Sequence, residues 1–212
     1  MPWIIGLLIE IVYMEEVPTI ITITFIVHWE LVGGNNMEYR TKTYIAGDWT
    51  GDQDAISKLY EWKNNSKLIL DFVDAHEYTQ ASDDDLFCSI KSSLRKRLNI
   101  SKAFVLIVGK QTKLLTKSSC QFCKSYSSYH TRCYRDYSVD YRSYIEYECK
   151  RAIKDYNDGL LKKIVIIYNY ANVDKSKCPD CIKNYGKHIV MYYHGKDGKD
   201  YWNYSEIKEA LS

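Results

Sequence analysis

The sequence predicts an α/β protein built on a doubly wound parallel sheet of five strands. Short apolar runs that read as strands alternate with stretches whose apolar residues recur at helical spacing, and this alternation is typical of parallel sheets. The run 103–108 is wholly apolar, which indicates a central strand buried on both faces. With 212 residues, 46% of them hydrophobic, the chain can bury a substantial core.

The predicted elements begin at residue 43. Strands are predicted at 43–46, 68–73, 103–108, 164–168 and 188–192, and helices at 52–62, 86–98, 141–156 and 204–211. Asp83–Asp85 predict the N-cap and acidic first turn of the second helix, and Gly159 predicts the end of the third. A polar, Cys-rich insert is expected at 110–140. Because parallel strands share one carboxyl edge, a functional site is expected there.

Residues 1–36 have a different character from the rest of the chain, which we predict to be one domain over 37–212. They are mostly apolar and contain no Lys or Arg. One hypothesis is a translated leader, because Gly33–Asn36 can be encoded by a ribosome-binding sequence ahead of a start at Met37. A second is a weak membrane anchor, although Glu10, Glu15, Glu16 and Pro18 break it into two short runs. A third is an additional strand or helix.

Charge and motif content exclude several function classes. A formal net charge of +2 provides no electrostatic footprint for nucleic acid, so a nucleic-acid partner is not expected. The sequence contains neither the G-x-G-x-x-G fingerprint nor the G-x4-G-K-[ST] loop. Standard dinucleotide-binding and P-loop interpretations are therefore disfavoured.

Two glutamates on the third predicted helix have different neighbours. Glu146 lies four residues from Arg142 on one side and from Lys150 on the other, which is typical of a solvated ion-pair residue. Glu148 has an aromatic and a small residue at the same spacings. A carboxylate in that setting, early in a helix at the sheet edge, is a candidate for catalysis. The alternative is a half-buried glutamate that makes an ordinary hydrogen bond.

The sequence Tyr-Ile-Glu-Tyr-Glu-Cys at 144–149 follows a central strand and a polar loop. In this it resembles the bacterial TIR-like family (Toll/interleukin-1 receptor type), which has a flavodoxin-like fold and includes the TIR-like subunit of the Thoeris antiphage system. That family opens this helix with an aromatic-x-x-Tyr-Glu motif whose glutamate is catalytic, and the motif maps onto Tyr144 and Glu148. The resemblance spans Thr41 to Leu211. The chain lacks the BB-loop consensus of eukaryotic TIR domains.

The resemblance implies an NAD-consuming enzyme of the NAD glycohydrolase or ADP-ribosyl cyclase type. Such an enzyme cleaves the nicotinamide–ribose bond and yields an ADP-ribose-type, in some members cyclic, signal nucleotide in antiphage defence. The implied partners are NAD, an effector protein that receives the signal and further copies of the chain, in the cytoplasm and without a membrane partner. The first alternative is a non-catalytic TIR-like interaction module, and the second is a flavodoxin-like domain that binds another nucleotide.

Further site residues follow from two segments that look like the cleft-forming loops of this family. They are the loop after the first strand, 44–49, and the end of the second strand, 72–76. For the polar residues of these loops, capping or loop hydrogen bonding is the alternative role, and for the tryptophan it is surface packing. The resemblance implies NAD-binding roles for Gly47, Asp48, Trp49, Asp74, His76 and Tyr144.

The seven cysteines suggest metal rather than disulfides, because two pairs have C-x2-C spacing. A structural zinc takes four thiolate or imidazole ligands. The insert supplies three thiolates, and the loop after the fourth strand is expected to leave the same sheet edge. We therefore expect zinc ligation by Cys120, Cys123, Cys133 and Cys178.

The fourth zinc ligand is the least determined by the sequence. Cys181 and His130 are alternatives to Cys178, and Cys88 and Cys149 are predicted to be core residues on helix faces. The competing interpretation of the whole set is free thiols in loops. Elemental analysis for zinc separates these interpretations.

Overall fold

The structure, a computed structural model, describes residues 40–68, 70–74, 86–115, 119–135 and 138–212. The three hypotheses for residues 1–36, the predicted cap at Asp83–Asp85 and the expected site residue His76 lie outside the described residues. Within the described residues, no helix is long and apolar enough to cross a bilayer.

Helices and strands alternate along the described chain. The helices are α1 (Gln53–Asn64), α2 (Phe87–Asn99), α3 (Tyr144–Asn157) and α4 (Tyr204–Leu211). The strands are β1 (Lys42–Ala46), β2 (Ser101–Val108), β3 (Tyr126–Ser127), β4 (Arg132–Cys133), β5 (Lys163–Tyr168), β6 (Lys187–Val190), β7 (Tyr192–His194) and β8 (Asp200–Trp202). The predicted helices and four of the predicted strands agree with these bounds to within a few residues.

The central sheet has four parallel strands in the order β1-β2-β5-β6. The predicted fifth strand is not confirmed. Its described part runs beside β1 but forms a single parallel bridge, between Thr43 and Asp74. Leu70 and Phe72 bury their side chains against α1, so packing holds this segment where a strand ladder was expected.

Each face of the sheet carries two of the described helices, which gives three layers. One hydrophobic cluster joins α2 and α3 to side chains of β1, β2 and β5, and the other joins α1 and α4 to the opposite face. In α3 the buried stripe of Ile145, Cys149 and Ala152 recurs at helical spacing, as the sequence predicts. The layering confirms a mixed α/β architecture consistent with a TIR-like fold.

Two parts of the fold lie outside the parallel sheet. The 110–140 segment, which connects β2 to α3, contains two single 3-10 turns and the antiparallel pair β3–β4. The hairpin β7–β8 before α4 is not predicted by the sequence analysis. Gly186 precedes β6 with a φ of 73°, and a Cβ there would lie 2.2 Å from the carbonyl oxygen of Ile164, so only glycine fits.

Candidate functional site

The carboxyl edge of the sheet is formed by the ends of β1, β2 and β5. Gly47 follows β1 directly, and a Cβ at this position would lie 3.2 Å from the Cβ of Ile107 on β2. The close approach brings the first loop against the neighbouring strand. The predicted site residue Gly47 therefore has a packing role in keeping the edge compact.

Asp48 and Trp49 form the tip of the loop after β1. The Asp48 carboxylate accepts a hydrogen bond from the Thr50 amide at 3.2 Å, and its carbonyl accepts one from the Asp52 amide at 2.7 Å. Trp49 is 39% exposed and packs at a tilt on Tyr60, with ring centroids 6.4 Å apart. Both residues thus lie at the expected edge, and the indole retains an accessible surface.

A buried polar group at the same edge is missing from the sequence prediction. Asp52 is 2% exposed and accepts hydrogen bonds from Asn169 at 3.2 Å and from Thr112 at 3.5 Å. Burial raises the pKa of its carboxyl, and the charges of Asp48 and Asp54 raise it further, while the hydrogen bonds oppose the rise. The sequence signal that could have indicated this cluster is the position of its partners at strand ends. Asn169 directly follows β5, and Thr112 lies four residues after β2.

Asp74 lies on the outer side of β1 and is 1% exposed. Its carboxylate accepts a hydrogen bond from the Tyr60 hydroxyl. The pKa of Tyr44 is raised mainly by burial and by Glu148, and the charge of Asp74 makes a smaller contribution in the same direction. Asp74 is thus a hydrogen-bonded residue of the loop. Tyr44 interacts electrostatically with both Asp74 and Glu148, the glutamate predicted to be catalytic.

Glu148 is buried in the second turn of α3, where it is 6% exposed. Its carboxylate accepts a hydrogen bond from the hydroxyl of Tyr44, a fully buried residue in the middle of β1. Burial raises the pKa of Glu148 to about 7, although the Tyr44 hydrogen bond and the positive charge of Arg97 oppose the rise. Near neutral pH this carboxyl is therefore poised between its protonated and ionised forms.

Glu146 has the contrasting environment that its sequence neighbours predict. It forms an ion pair with Lys150 at 2.7 Å, and its side chain is 42% exposed. Its backbone amide donates to the Ser143 hydroxyl at 3.2 Å, so Ser143 caps α3. Glu146 also lines a surface pocket of about 320 Å³ between the start of α3 and the loops after β2 and β5.

Tyr144, the aromatic residue of the motif, is the first residue of α3. Its ring packs edge-on against Phe87 of α2, with centroids 6.2 Å apart and an interplanar angle of 85°. It is partly buried against the hydrophobic cluster that also contains Tyr44. The structure therefore brings Tyr144, Tyr44 and Glu148 to the same side of the sheet, where α2 and α3 cover it.

Four cysteines converge on one small cavity, and they are not the four expected. The cavity has a volume of about 10 Å³ and is lined by Cys88, Cys120, Cys123, Tyr126, Cys133 and Ser138. Burial raises the pKa of the Cys88 thiol, and the thiols of Cys133 and Cys123 raise it further. Three of the expected ligands thus come together, joined by Cys88, which was predicted to be a core residue. His130 is exposed and does not line this cavity.

Cys178, the fourth expected zinc ligand, lies in the core and does not line that cavity. Cys178 is fully buried in the cluster formed with α3 and β5, and burial raises the pKa of its thiol to about 11. The nearby Cys149 thiol interacts with Cys181 and lowers the pKa of Cys181. The second C-x2-C pair therefore packs with Cys149, and the loop after β5 does not deliver Cys178 to the other thiols.

Comparison with known families finds a match over one part of the chain. Residues 27–117 match the family model of the Thoeris protein ThsB, TIR-like domain. The match includes β1, α1, α2 and β2 and ends before α3, so Glu148 lies beyond it. A search of curated proteins finds no match. The resemblance found in the sequence is confirmed over these residues, which are similar to the TIR-like domain of the Thoeris protein ThsB.

Proposed function

We propose that the protein cleaves the nicotinamide–ribose bond of NAD and that Glu148 is the acting carboxylate. The observation that carries the proposal is a buried carboxyl with a pKa near 7, on the helix that follows the central strand of a TIR-like domain. Perturbed carboxyls of this kind concentrate at functional sites. The motif that places Glu148 four residues after Tyr144 supports the same role.

The proposed reaction requires one well-placed anion. The bond between ribose C1′ and the pyridinium nitrogen breaks, and its electron pair leaves with neutral nicotinamide, so no strong general acid is needed. The oxocarbenium-like ribose that remains is stabilised by a carboxylate that accepts hydrogen bonds from the ribose hydroxyls. Water then adds to C1′ and releases a proton, giving ADP-ribose, or an internal nucleophile closes a cyclic product.

The surroundings of Glu148 have two consequences for this role. The Tyr44 hydrogen bond and the Arg97 charge favour the ionised carboxyl, which is the form the reaction uses. Because Glu148 is only 6% exposed, NAD can reach it only if the covering elements open locally. Such a requirement fits an enzyme that stays silent until it is activated.

The loop after β1 is proposed to hold the nucleotide. Trp49 offers an exposed ring for base stacking, and Asp48 offers a carboxylate at the same loop. Gly47, Asp74, His76 and Tyr144 complete the proposed NAD-binding set. The product is proposed to signal to an effector protein, as expected for a Thoeris component.

The test is the release of free nicotinamide from NAD by the purified full chain, with and without a lysate of phage-infected cells. Chromatography of the products also distinguishes ADP-ribose from a cyclic nucleotide. Wild type should release nicotinamide above background in the presence of lysate, and Glu148→Gln should lower the rate at least about 100-fold. Equal rates for the two proteins would contradict the proposal.

A non-catalytic interaction module is the second candidate, and one observation favours it. The Tyr44 hydrogen bond already gives Glu148 a structural partner inside the fold. For such a module, wild type and Glu148→Gln would show the same background with and without lysate. Antiphage protection by Glu148→Gln at the wild-type level would support the module independently.

A further inference from the structure

The described part of the 110–140 segment has no apolar core of its own. Within its described part, the buried residues are Thr112, Ser119, Cys120, Ser127 and Cys133. Leu114 is 68% exposed and Phe122 is 61% exposed, and Leu115 is only partly buried, against the cluster on the sheet. Hydrophobic burial in such a segment is too small to offset the conformational entropy that is lost when it becomes ordered, so another constraint is required.

Local hydrogen bonds bring three thiols of this segment together. The Cys123 amide donates to the Cys120 carbonyl at 2.9 Å, and the Tyr126 amide donates to the Cys123 carbonyl at 3.0 Å, so the chain turns tightly through the C-x2-C pair. The ladder between β3 and β4 then pairs Tyr126 with Cys133. This register returns Cys133 to the turn that contains Cys120 and Cys123.

Helix α2 brings the fourth thiol to the same place. The ammonium of Lys91 donates to the carbonyls of Asp140 at 3.0 Å and Arg142 at 2.6 Å, and so fastens α2 to the end of the segment. Asp140 in turn donates its amide to the Cys120 sulfur at 3.1 Å. Cys88 lies three residues before Lys91 and therefore on the same helix face, directed at the cysteine turn.

We propose that Cys88, Cys120, Cys123 and Cys133 bind one zinc ion in a structural site. Four thiolates are a complete tetrahedral ligand set, and the cavity of about 10 Å³ between them is the size of a single bound atom. The Asp140 amide supplies the outer hydrogen bond typical of such sites.

Binding requires a small rearrangement of the thiols. Within the described residues, no group of three or more histidine, cysteine, aspartate or glutamate side chains is already arranged to hold a metal ion. Each cysteine has alternative staggered rotamers, and rotation toward the common cavity moves only the sulfur. The backbone hydrogen bonds of the C-x2-C turn and the pairing of β3 with β4 remain unchanged by that rotation.

Zinc analysis of variants tests the proposed ligand set. The full chain purified from zinc-supplemented cells should contain about one zinc per chain. After dialysis against a weak chelator, Cys88→Ser should retain less than about a tenth of the wild-type zinc. Cys178→Ser, verified as folded by circular dichroism, should retain the wild-type content. Zinc-free wild type, or loss of zinc in Cys178→Ser alone, would overturn the proposal.

Thiol alkylation of the wild-type chain provides a test that does not depend on variants. With zinc bound, Cys88, Cys120, Cys123 and Cys133 should be protected together, and a strong chelator should expose all four together. Cys181 should react equally in both conditions, because it belongs to the other cysteine group. Equal alkylation of Cys88 with and without chelator, or a disulfide among the four under non-reducing conditions, would overturn the proposal.

Discussion

The layered sheet and the 110–140 segment are stabilised by different forces. The sheet buries continuous apolar runs, so that every residue from Ala103 to Val108 is almost fully inaccessible. The 110–140 segment buries only hydroxyls and thiols among its described residues. The sheet is therefore stabilised by apolar burial, whereas the segment depends on specific polar contacts and on its cysteines.

Replacing one leucine by alanine in each region should produce the largest difference in the free energy of unfolding. Leu106→Ala in β2 removes a fully buried side chain and should lower the free energy of unfolding by about 2–5 kcal/mol. Leu114→Ala in the segment removes an exposed side chain and should change it by less than about 0.5 kcal/mol. Urea denaturation measures both. Similar losses for the two variants would mean that the segment has an apolar core after all.

The buried Glu148 should make the sheet region less stable as the pH rises. Its pKa is raised from 4.5 to about 7, so the folded chain binds more protons than the unfolded chain between those values. The stability is therefore fully present below pH 4.5 and is lost as the pH rises through about 7, by roughly 3 kcal/mol. Denaturation at several pH values should show this loss in wild type and not in Glu148→Gln. Parallel curves would show that the carboxyl is solvated.

Removing zinc should loosen the segment and leave the sheet intact. With a strong chelator, proteolysis within 110–140 should accelerate at least tenfold, which corresponds to about 1.4 kcal/mol of opening free energy. Cleavage within β2 and β5 should keep its original rate, because apolar packing protects those strands. Mass spectrometry of the fragments assigns the cuts. Chelator-induced cleavage throughout the sheet would contradict the separation of the two regions.

The exposed ion pair on α3 should contribute least to the stability of the fold. Lys150→Ala removes the partner of Glu146 at the surface and should cost only about 0.3–0.5 kcal/mol, a loss that salt reduces. Thermal denaturation at low and high salt measures the effect. A loss above 1 kcal/mol that salt leaves unchanged would mean that Glu146 occupies a desolvated environment.

The sequence predicts the sheet region well because its periodicities are strong. Unbroken apolar runs identify β2 and β5, and the helical stripe identifies α3. The run at 68–73 is apolar except for Asp71 and was also predicted to be a strand. Its described part forms a single bridge with β1 and packs on α1 through Leu70 and Phe72. Strand pairing depends on tertiary packing, which the pattern of one segment does not contain.

The candidate site was predicted only in part, for the same reason. The different environments of Glu146 and Glu148 follow from their neighbours on one helix, and both are confirmed. The hydrogen bond from Tyr44 and the burial of Asp52 depend on contacts between residues far apart in sequence. Cys88 was placed in the core because nothing local indicates that Lys91 fastens its helix to the end of the segment.

Glu146 is the natural control for the proposed role of Glu148. Both residues lie on α3 two positions apart, but one is buried against Tyr44 and the other is paired with Lys150 at the surface. The decisive measurement is the rate of nicotinamide release from NAD by Glu148→Gln relative to Glu146→Gln, in activating lysate. We expect a rate at least about 100-fold lower for Glu148→Gln, with the rate of Glu146→Gln close to that of wild type. Equal rates, or the loss confined to Glu146→Gln, would contradict it.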